Sequence, residues 1–184
     1  MLRKSWEPSL FYNTHRWLWV PAPVRNCALG GDDVEIILRN RESEMTDKAT
    51  AKLKASGWTT VETSGFISLI GPLWQRVVNG EHEYALVAQD KHHNRRGLVQ
   101  GGVLMTFADR TCGMTARYVS GKPMLATVQL DTHFVEPGKI GEVLVSKPHV
   151  VRSTRSLIFI TTEVTVDKRC IAMASGVFKI LKSE

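Results

Sequence analysis

The run HHNRRGLVQGGVLMTFADRTCGMTAR, from His92 to Arg117, decides how this chain is read. Gly101–Gly102 opens a proline-free stretch reaching about Val119. Val103, Phe107 and Met114, with the small Ala108, Cys112 and Ala116, predict a largely buried helix. Ser120–Gly121 ends it, with Arg117 and Lys122 near its negative end. A Gly–Gly helix start exposes N–H groups that have no intrahelical partner, and glycine lets a ligand approach that backbone closely. Such donors suit a carbonyl oxygen that becomes an oxyanion during acyl transfer. Asp109 follows eight residues after Gly101, roughly 12 Å further along the axis. One subunit's Asp109 cannot easily serve its own helix start. Either this carboxylate has no chemical role, or a second subunit brings its helix alongside. A carboxylate on an apolar helix needs a partner, solvent or a task.

The flanks read as sheet. Upstream, Phe66–Val78 is a broken apolar stretch around Gly71–Pro72, Asn79–Gly80 is a hairpin turn, and Glu83–Gln89 is the returning strand. Further back, Thr46 or Asp47 caps a short helix through about Ser56, with Gly57 just past its end. Downstream, four runs read as strands: Met124–Val135, Ile140–Val151, Ser156–Val166 and Cys170–Leu181. Their short connections favour antiparallel pairing. The expected order is helix, two strands, one long apolar helix, four strands: an α+β chain.

The spacing of Asn94, Gly97, Gly101–Gly102 and Asp109 resembles the PaaI-type branch of hotdog acyl-CoA thioesterases. The likeness runs from about Phe66 to Ile180 and takes in Gly71–Pro72–Leu73–Trp74 and the Ser153–Ser156 turn. It implies a hotdog fold, one antiparallel sheet wrapped around a long central helix, with active sites between two subunits. Asp109 falls at the family's catalytic carboxylate, acting as general base on water or as nucleophile through an anhydride. Gly101 would give its N–H to the thioester oxygen, with Gly102 beside it. Asn94 would orient the thioester or the water, and Thr127 would hold the water. Gln100 stands where the family usually has His; it can donate and accept hydrogen bonds but cannot titrate near neutrality. Arg95, Arg96, Arg152 and Arg155 are candidates for the coenzyme A phosphates. The resemblance further implies an acyl-CoA substrate, no cofactor, and a homodimer or homotetramer. Two other readings stand beside the enzyme. One is a non-hydrolysing acyl-CoA-binding hotdog protein, which Gln100 favours. The other is a hotdog hydratase, whose Asp/His motif is not found.

Composition sets the outer bounds. The 184 residues are 43% hydrophobic and 23% charged, which fits a globular domain with an extension. Residues 1–45 hold Trp6, Trp17 and Trp19 among scattered prolines and show no sustained period, so they read as a dispensable irregular extension before a domain at 46–184. The formal net charge of +6 lies wholly in residues 46–184, because the first 45 carry six basic and six acidic side chains. No nucleic-acid-binding motif accompanies that charge, so nucleic acid is not expected as a partner. Cys27, Cys112 and Cys170 form no CxxC pair, and His92–His93 has no third ligand in view, so no metal site is expected. Cys112 has no His companion and reads as core, and His133 and His149 read as strand residues. No apolar run approaches membrane-spanning length and no secretory signal is evident, so a cytoplasmic protein is expected.

Overall fold

The computed structural model describes residues 31–182, with side chains from Ser43 onward. Cys27 and the three tryptophans of the N-terminal segment lie outside the described residues. Helix α1 (Gly31–Ala55) is longer than its reading from the sequence. Val34, Ile37 and Leu38 stand at helical spacing, but no apolar residue follows before Met45, so no sustained period announced this part. The run nevertheless lacks proline and starts with Asp32, Asp33 and Glu35, which favour a helix N-terminus. Its end is a Schellman motif: Gly57 adopts φ 77°, Trp58 N–H donates to Leu53 O at 3.2 Å and Gly57 N–H to Lys54 O at 3.2 Å.

Strand β1 (Thr59–Thr60) and helix α2 (Phe66–Ile70) lead to a hairpin of β2 (Leu73–Val78) and β3 (Glu81–Val87). Asn79 and Gly80, at φ 52° and 82°, form the tight turn that the Asn-Gly pair predicts. Helix α3 (Gly101–Ser120) follows, closed by Gly121 at φ 63°. Five strands then complete the chain: β4 (Leu125–Phe134), β5 (Val143–Ser146), β6 (His149–Ser153), β7 (Leu157–Val166) and β8 (Arg169–Ile180). The single strand expected over 140–151 is two strands, interrupted at Lys147–Pro148, where proline has no N–H to give to a ladder.

All eight strands form one antiparallel sheet of order β1-β2-β3-β5-β7-β8-β4, with β6 also on β7. The sheet wraps α3, whose Leu104, Phe107 and Ala108 pack with Leu73, Leu86, Leu144, Val164 and Ile171. Further along the helix, Cys112 and Ala116 pack on Ile158, Ile160 and Phe178. Alternation along β7 places Thr162 and Val164 inside and Thr161 and Glu163 outside. On the outer face, Leu53 of α1 joins Trp58, Trp74, Ala85 and Val87 in a second cluster. This is the hotdog architecture, with α3 as its filling. We propose that residues 1–45 are dispensable for it. A chain beginning at Met45 keeps Leu53 and the cap at Gly57. It is expected to remain soluble, assembled and active, with its thermal midpoint lowered by only a few degrees, equivalent to about 1 kcal/mol. Loss of solubility, assembly or turnover would assign the upstream residues to the structure.

Candidate active site

The start of α3 is built by the loop before it. His92 is buried, and its Nδ1 accepts from Gln89 N–H at 3.0 Å while Nε2 donates to Ile70 O at 2.9 Å. This imidazole is neutral and pins the loop to the end of α2. Burial, reinforced by the Lys91 ammonium, holds it below the usual histidine range. The unfolded chain therefore takes up this proton first as pH falls. Stability is full above about pH 6.5 and declines below it, at up to about 1.4 kcal/mol per pH unit from this group. Denaturant midpoints measured from pH 7 to 5 should fall, and His92→Gln should flatten that slope. Equal slopes would remove His92 as its source.

Asn94 forms a local turn. Its Oδ1 accepts from Arg96 N–H at 2.8 Å and Leu98 N–H at 3.3 Å, which leaves the amide NH₂ as its outward donor. Gln100 is the N-cap of α3, its Oε1 taking the Gly102 N–H at 3.4 Å. The Gly101 N–H has no acceptor among the described residues. Gly101 lines a hollow of about 370 Å³ with Asn94, Leu98, Leu104 and Phe134, among others. Phe134 lies over Gly101: a Cβ at this position would meet its ring at 3.0 Å.

Two turns along α3, half-buried Asp109 accepts a 2.8 Å hydrogen bond at Oδ1 from the Thr127 hydroxyl. The β4–β8 register shifts between Thr127 and Gln129, and such a bulge re-aims neighbouring side chains. Asp109 and Thr127 share a cavity of about 60 Å³ with Arg110, Gly113, Arg117, Leu125 and Phe178. No residue lines both this cavity and the hollow at Gly101. The site residues expected from the sequence thus fall into two groups: Asn94, Gly101 and Gln100 at the helix start, Asp109 and Thr127 two turns on. Arg95 and Arg96 lie exposed on the loop before α3, Arg152 on β6 and Arg155 on the turn after it, and none lines either cavity. Gly102 is exposed beside the helix start.

Phe134, Arg110 and Arg117 were not expected at the site. Helical spacing offered a signal for the arginines, since positions 110, 113 and 117 share a face. Cys112 is buried, and its thiol is pushed up to about 12 by burial and then by the Asp109 carboxylate, so it is no nucleophile. His133 and His149 border a separate trough of about 620 Å³ on the outer sheet face. No cluster of three metal-ligating side chains occurs among the described residues. No helix there is long and apolar enough to cross a membrane.

A thioesterase superfamily model matches residues 96–170, the span holding α3 and most of the sheet after it. The chain is 28% identical over 120 residues to a Pseudomonas aeruginosa protein designated an esterase, covering 64% of this chain and 90% of that one. It is 25% identical over 77 residues to mouse acyl-coenzyme A thioesterase 13, covering 42% of this chain and 55% of that one. A Thermus thermophilus structure, a variant of the phenylacetic acid degradation protein PaaI, superimposes with a TM-score of 0.57 at 19% identity, covering 63% of this chain and 98% of that one. The fold is that of the hotdog proteins, and residues 96–170 match the thioesterase superfamily pattern. The matched segment and the named relatives point to thioester hydrolysis as its class of chemistry.

Proposed function

We propose that the protein hydrolyses acyl-coenzyme A thioesters at sites between two protomers, where Asp109 of one faces the Gly101 amide of the other. The observation that carries this reading is the division of the site. A free backbone donor and a hydrogen-bonded carboxylate occupy separate hollows about 12 Å apart along one helix. Strand β4 offers a way to join them. It is the last strand of the sheet and carries Thr127 beside Asp109 and Phe134 beside Gly101. A second copy pairing antiparallel along β4, about a dyad between Leu130 and Asp131, brings Thr127 opposite the other copy's Phe134. Each Asp109 cavity then meets the other protomer's helix start.

In this arrangement Asp109 removes a proton from water, whose oxygen adds to the thioester carbonyl. Alternatively the carboxylate attacks directly and water opens the resulting anhydride. The developing oxyanion accepts from Gly101 N–H, with the Asn94 amide as a second donor. The C–S bond breaks, the thiolate takes up a proton, and a carboxylate and free coenzyme A leave. Thr127 fixes one Asp109 oxygen and leaves the other for the reaction. Arg95, Arg96, Arg152 and Arg155 supply exposed guanidinium groups for the coenzyme's phosphates.

Release of free thiol from a panel of acyl-CoAs tests this function, with turnover above the uncatalysed blank expected for at least one acyl group. Saturable acyl-CoA binding without thiol release would favour a non-hydrolysing binder. The capping role of Gln100 makes that reading specific, because an amide that closes the helix end cannot deliver a titrating proton. Gln100→His should keep the fold and raise kcat/KM in the same assay; a flat or lower rate in an active parent would show Gln100 adapted to its site.

A further inference from the structure

The cavity beside Asp109 holds more positive charge than that carboxylate can balance. Arg110, Gly113 and Arg117 share one face of α3, and side chains on a helix lean towards its N-terminus, so Arg117 reaches back towards Arg110 and Asp109. Both arginines line the cavity with Asp109, Thr127, Leu125 and Phe178. Neither forms an ion pair with another described residue. The Nε atoms of both are buried and lack any hydrogen-bond partner. Buried N–H donors without acceptors are costly, and two like charges on one face repel. Burial, and then the Arg117 charge, lower the affinity of Arg110 for its proton, against the opposing pull of the Asp109 carboxylate. Gly113 leaves the room between them: its missing Cβ would stand 3.4 Å from the Phe178 ring. The pair therefore presents a net positive charge and space to whatever acyl group is held against Asp109.

We infer that Arg110 and Arg117 select an acyl group ending in a carboxylate, so that the substrate class is the coenzyme A thioester of a short dicarboxylic acid. The inference rests on the reading of Asp109 as the reacting carboxylate, since it assumes that the acyl group lies in this cavity. A cavity of about 60 Å³ favours short chains. The terminal carboxylate accepts from both guanidinium groups, while the thioester carbon lies towards Asp109. A neutral acyl of equal length leaves the two guanidinium charges without an anion.

The test compares pairs matched in length, succinyl with butyryl and glutaryl with pentanoyl thioesters, in the full-length protein, with the uncatalysed rate subtracted. The wild type should favour the dicarboxylic member of each pair in kcat/KM. Arg117→Met should reduce the ratio of dicarboxylic to neutral substrate by about 10–100-fold, as expected for lost charge-assisted hydrogen bonds, and Arg117→Lys should retain part of it. Equal or greater activity on the neutral acyl in the wild type would overturn the inference. So would a ratio unchanged in both Arg117→Met and Arg110→Met, which would assign their donors to water or to another protomer. A binding measurement keeps the two levels apart: free glutarate should raise the wild-type thermal midpoint more than pentanoate does, and Arg117→Met should abolish the difference. If no thioester is turned over, the hydrolase reading fails while glutarate binding still decides the guanidinium pair. Equal shifts with glutarate and pentanoate would overturn the pair as well.

Discussion

Asp109→Asn is expected to lower thioester hydrolysis by at least about 100-fold, the usual scale of a general base, with fold and assembly intact. The substitution keeps the side chain's shape. Its amide oxygen can still accept the Thr127 hydroxyl bond that measures 2.8 Å to Asp109, so neither β4 nor α3 should shift. What disappears is the negative charge, and with it both the capacity to take a proton from water and the capacity to attack a carbonyl. The loss should fall on kcat, because the oxyanion donor and the exposed arginines remain. Near-native turnover in a folded variant would end the assignment. The anhydride route can leave a mark in the parent: after a single turnover in ¹⁸O-water, label in Asp109 shows an anhydride opened at the Asp109 carbonyl.

The parts of this molecule legible in its sequence are those governed by short-range pattern. Helix α3 announced both its ends, because Gly101–Gly102 and Ser120–Gly121 bracket a proline-free apolar run. The β2–β3 turn followed from Asn79–Gly80, whose positive φ values few other residues adopt without strain. The β7–β8 turn falls in the gap between the runs Ser156–Val166 and Cys170–Leu181, and Asp167 there takes φ 52°. What escaped depended on distant partners. The two-residue β1 exists because β2 offers it a ladder. Helix α1 upstream of Thr46 has no sustained period, and its C-terminal turns are held by Trp74 and Val87, far along the chain.

The site divides in the same way. Gly101 and Asp109 stand eight residues apart on α3, where helix geometry alone fixes their separation, and Asn94 lies in the short loop just before it. Thr127 was placed only by resemblance, since its bond to Asp109 joins β4 to α3 and depends on a bulge that no local residue pattern marks. Phe134 was invisible for the same reason: its approach to Gly101 joins the far end of β4 to the first turn of α3. Arg117 illustrates a different failure. At a helix C-terminus a basic residue already has an explanation in the helix dipole, and that sufficient local reason hid its place in the Asp109 cavity.

Restoration of activity by mixing two inactive variants is the sharpest expected result. In Gly101→Val, a side chain enters where even a Cβ would stand 3.0 Å from Phe134. The position is helical with no positive φ, and Phe134 is more than half exposed, so the ring can move and the fold should survive. The added bulk nevertheless fills the approach to the Gly101 N–H, and the variant alone should be nearly inactive. Asp109→Asn alone should be inactive through the opposite hollow. In a two-fold dimer with shared sites, a mixed pair holds one doubly damaged site and one that draws an intact Asp109 from the first variant and an intact Gly101 from the second. Co-expression in equal amounts makes half the dimers mixed, each with one working site, so activity should return to about one quarter of wild type. A site contained within one protomer predicts no recovery, because every such site then carries a defect. The two predictions differ by more than tenfold. Sedimentation of the purified mixed species fixes whether the recovered activity travels with the dimer. Absence of recovery in a confirmed mixed dimer would overturn the shared site and return Asp109 and Gly101 to separate roles.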